Sequence, residues 1–183
     1  MPEEYFDILD EQGNPTGGKC SRFEAHSQGL WHKTVHIYLF HKVNDKIEFL
    51  VHLRSKTKDL NPNTWDTRFG GHLKAGESIE DALVTEIKDE IGLELKSDNF
   101  IKGETRKRDK FPNREFTSVY YYNYNDDINK LKFDDGEVQA VKWMVPEDII
   151  ESMKKEPSNW SGGPTGFTQI YNFLKSKLWK QKP

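Results

Sequence analysis

Two glutamates four residues apart, Glu86 and Glu90, with Asp89 beside them, are the groups of this 183-residue chain best placed to do chemistry. Carboxylates one helical turn apart offer hard oxygen donors to a single cation, and Mg²⁺ or Mn²⁺ suits such a set. A cation held there would acidify water and neutralise the charge of a phosphate group. The plain alternative is that these acids lie on a solvated helix face or pair with Lys and Arg.

The elements that must position them are legible around the pair. Ser78 is a good N-cap and Asp81, three residues on, completes a capping-box pattern. Gly92 is placed to end the helix in a left-handed C′ conformation. Between them Ile79, Leu83, Ile87 and Ile91 form one apolar face, with Ala82 alongside. Glu86 and Glu90 project next to that face, while Lys88, Asp81 and Thr85 take the solvent side. Charges at a buried edge need a partner, because an uncompensated one costs several kcal/mol. Ahead of the helix, Gly70-Gly71-His72 and Gly76-Glu77 form a loop whose glycines let backbone approach a metal or phosphate closely.

This stretch resembles the Nudix box: Gly, five residues, Glu, seven residues, then Arg-Glu-apolar-x-Glu-Glu-x-Gly-apolar. The chain has Gly71, Glu77 and then Thr85-Glu86-Ile87-Lys88-Asp89-Glu90-Ile91-Gly92-Leu93, with every spacing kept. Thr85 stands where the family has Arg, and Asp89 where it has the first Glu of the pair. The resemblance implies cleavage of a diphosphate linkage, with Glu86 and Glu90 as metal ligands and Asp89 acting directly or through water. It also makes the Gly71 carbonyl a candidate ligand. Glu77 would brace the box against the family's Arg, a pair that Thr85 cannot make.

Residues 5–72 resemble a narrower branch, the isopentenyl-diphosphate isomerases, through ILDEQGNPTG, EAH, LWHKTVHIYLF and LRSKTKDLNPNTWD leading into GGH. That resemblance implies a second metal set, with His26, His32 and His72 as counterparts and Glu115 matching one later glutamate. The other later glutamate falls on Asn113. The isomerase cysteine would precede the Gly-His pair, and that position is Gly70. Isomerisation moves a proton onto and off carbon and needs an acid/base side chain. Without the resemblance, His26, His32 and His36 read as structural histidines near a sheet edge.

Composition bounds the rest. A 13% aromatic share argues for a folded chain. A net charge of −3 gives no global pull toward nucleic acid or anionic membrane, and neither is expected as a partner. Cys20 is the single cysteine, so no disulfide forms within the chain, as suits a reducing compartment. The acidic start, MPEEYFDILDEQ, lacks a signal-peptide apolar run, and no stretch nears ~20 apolar residues. A cytoplasmic protein is expected.

In chain order, 4–9 reads as a strand and DEQGNPTG as a turn into a return strand holding Lys19 and Cys20. Val35, Ile37 and Leu39 alternate with His36, Tyr38 and Phe40, a strand with one buried face. KIEFLVHLRS is another strand. Arg54 and Arg68 either hold a substrate phosphate or form surface ion pairs. Residues 98–116 read as a basic loop: a solvated face, a cover over an anionic substrate, or an RNA contact. TSVYYYNYN is a strand whose tyrosines pack in the core or stack on a base. DDGEVQAVKWMVPEDII is a strand and turn into a short helix, with Glu137 a candidate acidic ligand or base. FTQIYNFLKSKLW is an amphipathic C-terminal helix.

The expected fold is the Nudix α/β/α sandwich with a mixed sheet, an α/β (α+β) chain in one domain over 1–183, its core at about 31–160. The expected function is metal-dependent pyrophosphohydrolysis of a nucleoside-diphosphate-type or other X-linked diphosphate. Mg²⁺ or Mn²⁺ is the cofactor, and Glu86, Glu90 and Glu115 are the catalytic carboxylates. An isomerase-like enzyme and a catalytically weakened diphosphate-binding module are the alternatives. A homodimer is left open.

Overall fold

The computed structural model describes residues 3–58, 60–133 and 136–179. The strands are β1 (Tyr5–Leu9), β2 (Pro15–Ser21), β3 (His32–Val43), β4 (Lys46–Arg54), β5 (Trp65–Asp66), β6 (Ile101–Lys110), β7 (Asn113–Asn123) and β8 (Val138–Met144). The α-helices are α1 (Arg22–Gln28), α2 (Ile79–Ile91), α3 (Pro146–Lys155) and α4 (Pro164–Trp179). β1 and β2 form a separate antiparallel pair, and the second sheet is ordered β5-β4-β3-β7-β6 with β8 on β4. Four α-helices and a mixed sheet among the described residues make this an α+β chain, as expected. Among the described residues, no helix is long and apolar enough to cross a membrane.

Two compact units divide the chain. The single domain expected over 1–183 spans both, and its residues 1–2 and 180–183 lie outside the described ones. The first unit holds the β1–β2 pair, α1, the start of β3, the loop before α2 with most of that helix, β6, and β7 to Tyr120. Its buried apolar groups include Phe6, Val35, Ile37, Phe69, Leu83 and Ile87. The second unit holds the rest of β3 with β4, β5, β8, α3 and α4. Phe40, Phe49, Leu50, Tyr121, Ile149 and Leu174 are buried there. Each such side chain contributes roughly 1.5–3 kcal/mol by leaving water.

α2 forms where its caps predicted. Ser78 Oγ accepts the Asp81 amide at 3.1 Å and donates to its carboxylate at 2.6 Å. Gly92 has φ +72, the left-handed stop. Ala82, Leu83, Ile87 and Ile91 are buried and Lys88 is exposed, so the apolar face is the inner one.

Three local expectations are corrected. β3 is buried on both faces from Ile37 to Phe40 instead of one, because a central strand is covered on both sides. The segment read as a basic loop is mostly strand: Ile101–Lys110 is β6, an exposed arm of the hairpin closed through Phe111 and Pro112, and β7 begins at Asn113. Its alternation is masked because most of its side chains are polar on both faces. A helix also appears that the expectation lacked. α1 is capped by the reciprocal Ser21–Glu24 box and stopped at Gly29, φ +63. Those capping residues were the available sequence signal.

Candidate functional site

The loop ahead of α2 is fixed by pairing with β3. Phe69 and Ile37 exchange both backbone hydrogen bonds, at 2.8 and 2.9 Å. Val35 N–H donates to Gly71 O at 2.9 Å, and Leu73 N–H donates to Lys33 O at 3.0 Å. His72 therefore sits opposite Thr34. Opposed residues share a face, so the His72 ring joins the side of β3 that carries Thr34 and His32. Two further bonds tie the loop to β1: Ala75 N–H to Tyr5 O at 2.7 Å, and Gly76 N–H to Asp7 Oδ2 at 2.8 Å.

On that face four donors converge. One ligand atom from each of His26, His32, His72 and Glu115 lies within 4.8 Å of all the others. His26 comes from the last turn of α1, His32 opens β3, His72 lies in the loop and Glu115 in β7. Phe6 stacks on His32 at 5.3 Å and on His72 at 4.8 Å, and so walls one side. His36 lies outside the set of four.

The chemistry of the set is that of a cation site. His32 Nδ1–H donates to Leu30 O at 2.8 Å, which leaves the lone pair on Nε2. That Nε2 and the Nε2 of His72 are buried without a hydrogen-bond partner. An unsatisfied buried polar atom costs about 1–3 kcal/mol, and two aimed into one cluster fit a ligand. Burial lowers the pKa of all three rings, to about 4 for His26, in the same direction for His32, and well down for His72. They are neutral at pH 7, the form that binds metal. Three imidazoles and a carboxylate make a nitrogen-rich donor set for a divalent transition-metal ion.

The Glu86 carboxylate of α2 adjoins this cluster through Gly71, the residue before His72. A Cβ built on Gly71 would lie 2.9 Å from both Glu86 carboxylate oxygens, so only glycine lets that carboxylate close down on the loop. Gly71 O has one lone pair taken by Val35. Glu86 and, one turn on, Glu90 are half-buried, whereas Asp89 is exposed. Glu77 accepts the Lys74 amide at 2.8 Å and closes its own loop, the place of the brace that Thr85 cannot provide.

The remaining expected residues are committed elsewhere. In the second unit Arg68 grips buried Asp66 through two bonds of 2.9 Å and reaches Ser161 at 3.1 Å. Arg54 donates to the carbonyls of Leu60 and Asn61 at 2.9 and 3.2 Å and lies 3.8 Å from Asp66. These contacts brace a loop around buried Asp66. Glu137 pairs with Lys58. Gly70 has φ +107, and a Cβ there would meet Val35 O at 2.4 Å. Position 70 has no room for any side chain without a backbone shift.

The family model of the NUDIX domain matches residues 30–163. The chain is 36% identical over 142 residues to an uncharacterised Nudix hydrolase of Clostridium acetobutylicum, covering 75% of this chain and 68% of that one. It is 30% identical over 183 residues to the isopentenyl-diphosphate Delta-isomerase of a Shigella boydii strain, covering 97% and 96%. In fold it is similar to DR0079 from Deinococcus radiodurans, with a TM-score of 0.71 at 20% identity over 92% of this chain and 99% of that one.

Proposed function

We propose, for a chain that belongs to the Nudix family, metal-assisted hydrolysis of a phosphoanhydride in a small-molecule diphosphate. It is a Nudix hydrolase, and what its own residues add is the way two donor sets meet at Gly71 and His72. The single observation behind this reading is the Glu86 carboxylate seated on the α-carbon of Gly71, one residue from an imidazole of the cluster. Glu86 and Glu90 would hold Mg²⁺ or Mn²⁺, with the Gly71 carbonyl as a further donor and exposed Asp89 acting through water. His26, His32, His72 and Glu115 would hold a second divalent ion.

Such cations supply Lewis acidity and cancel charge on the diphosphate. The chain's own work is positional. Phe6 keeps water off the rings of His32 and His72. The pairing of the loop with β3 keeps His72 and Gly71 in place. A carboxylate takes the proton of the attacking water; Glu86 and Glu90 on α2 and Glu115 on β7 are the groups offered for it.

A second reading has one observation in its favour. The four-donor cluster matches the metal set that the isomerase resemblance implies, and the relative from Shigella boydii carries that activity in its name. Against it, Gly70 stands at the isomerase cysteine's position and leaves a side chain no space. A phosphate-release screen decides between them. The purified chain is incubated with Mg²⁺ or Mn²⁺ and dinucleotides, nucleotide sugars, deoxynucleoside triphosphates, coenzyme A and isopentenyl diphosphate. Metal-dependent phosphate or nucleotide release supports hydrolysis. An allylic diphosphate without release supports isomerisation. Metal binding with no turnover on the panel supports a binding module.

A further inference from the structure

The two faces of β6 are used differently. On one, Lys107 Nζ donates to Glu11 O at 2.6 Å and lies 4.6 Å above the Trp31 ring, so its charge is committed. Strand period puts Arg106, Arg108 and Lys110 on the other. Arg108 is the one joined to the metal-ligand cluster. Its Nη1 lies 4.0 Å from Glu115 Oε2, and its side chain is 50% exposed where that of Glu115 is 9% exposed. Among the described residues this loose ion pair is the polar contact of Arg108.

The arrangement has a consequence when the cluster binds a cation. Glu115 is one of the four donors, so a divalent ion binds one of its carboxylate oxygens and offsets its charge. The attraction that holds Arg108 at 4.0 Å weakens at the same step. A half-exposed guanidinium is then left beside the cation with its fork of donors, which matches phosphate oxygens bidentately. We propose that Arg108 is a substrate-binding residue. It exchanges Glu115 for a phosphate oxygen once the His26–His32–His72–Glu115 cluster is loaded, so that metal and phosphate bind with positive coupling. By linkage each tightens the other by the same factor. The inference rests on the reading of that cluster as a metal site and of the substrate as a diphosphate.

The test uses the full chain loaded with one equivalent of Mn²⁺, and inorganic phosphate as the probe. Phosphate affinity is read by ³¹P line broadening and Mn²⁺ affinity by the electron paramagnetic resonance of free Mn²⁺. Circular dichroism checks the fold of each variant. Arg108→Ala is expected to weaken phosphate binding about 10- to 100-fold, the worth of a charge-assisted hydrogen bond. Its Mn²⁺ affinity should be unchanged or slightly tighter, and Arg108→Lys should recover part of the loss. Phosphate affinity within twofold of wild type in Mn²⁺-loaded Arg108→Ala overturns the proposal and leaves the metal site standing. Mn²⁺ affinity that is indifferent to both His26→Ala and Glu115→Gln removes the metal site, and the role of Arg108 with it.

Discussion

The Glu86 carboxylate lies against the α-carbon of Gly71, so close that a Cβ there would stand 2.9 Å from each of its oxygens. The contact joins the helix that carries the acids to the loop that carries His72. It explains why glycine is needed at position 71.

Gly71→Ala follows directly. The obstructing atoms are the far end of a flexible side chain, so the fold should tolerate the methyl while the carboxylate moves aside. A misplacement of about 1 Å can cost on the order of 100-fold in rate. Metal-dependent turnover should fall by about 10- to 100-fold with a thermal midpoint near wild type. Full turnover would mean that the seating of Glu86 on Gly71 is incidental.

Glu86→Gln and Glu90→Gln keep shape and remove charge. Each should lower metal-dependent hydrolysis by about 100-fold or more and weaken Mg²⁺ binding, without loss of helical circular dichroism. Near-wild-type rates in both variants would take these residues out of the reaction.

Gly70→Cys restores the residue type that the isomerase resemblance places before the Gly-His pair, but not its setting. With φ +107 and Val35 O 2.4 Å from the new Cβ, the backbone must shift. A left-handed conformation alone costs an L-residue roughly 1–3 kcal/mol. A lower thermal midpoint and no conversion of isopentenyl diphosphate are expected. An allylic product from this variant would show that one residue separates the two activities.

His52 makes stability pH-dependent. Burial pushes its pKa down to about 4, with Asp66 pulling the other way and Arg54, Arg68 and Lys58 adding to the fall. An unfolded histidine titrates near ~6.5, so between the two values the unfolded chain holds the extra proton. The contribution of this group is thus whole above about pH 6.5 and is lost as pH falls toward 4, by up to ~1.4 kcal/mol per pH unit. Urea midpoints of wild type and His52→Asn should draw together as pH falls through this window. The cluster histidines shift in the same direction in both proteins and cancel in the difference. Parallel curves would show that His52 is already protonated in the fold.

Much of this was open to reading residue by residue. The caps of α2, its apolar face and the half-buried setting of Glu86 and Glu90 follow from spacing along one helix, where neighbours in space are neighbours in sequence. β6 was hidden because an exposed hairpin arm carries no apolar alternation, and α1 because seven residues leave a weak period. For Arg54 and Arg68 the partners could not be read from the sequence. A phosphate-seeking guanidinium and one clamped to a buried carboxylate look alike until Asp66 is placed between them.

By itself the chain's order of residues determined the acid-bearing helix, its loop and the family to which they belong, because those depend on contacts a few residues long. The isomerase resemblance groups His26, His32, His72 and Glu115, but only the tertiary structure brings their donor atoms within 4.8 Å of one another. These residues come from a helix, two paired segments and a hairpin. No local rule carries the pairing of Thr34 with His72, the stacking of Phe6 on two imidazoles, or the Val35 carbonyl that closes position 70 to a side chain. Such proximity is set by backbone hydrogen bonds and packing between distant segments, and it exists only after the chain has folded.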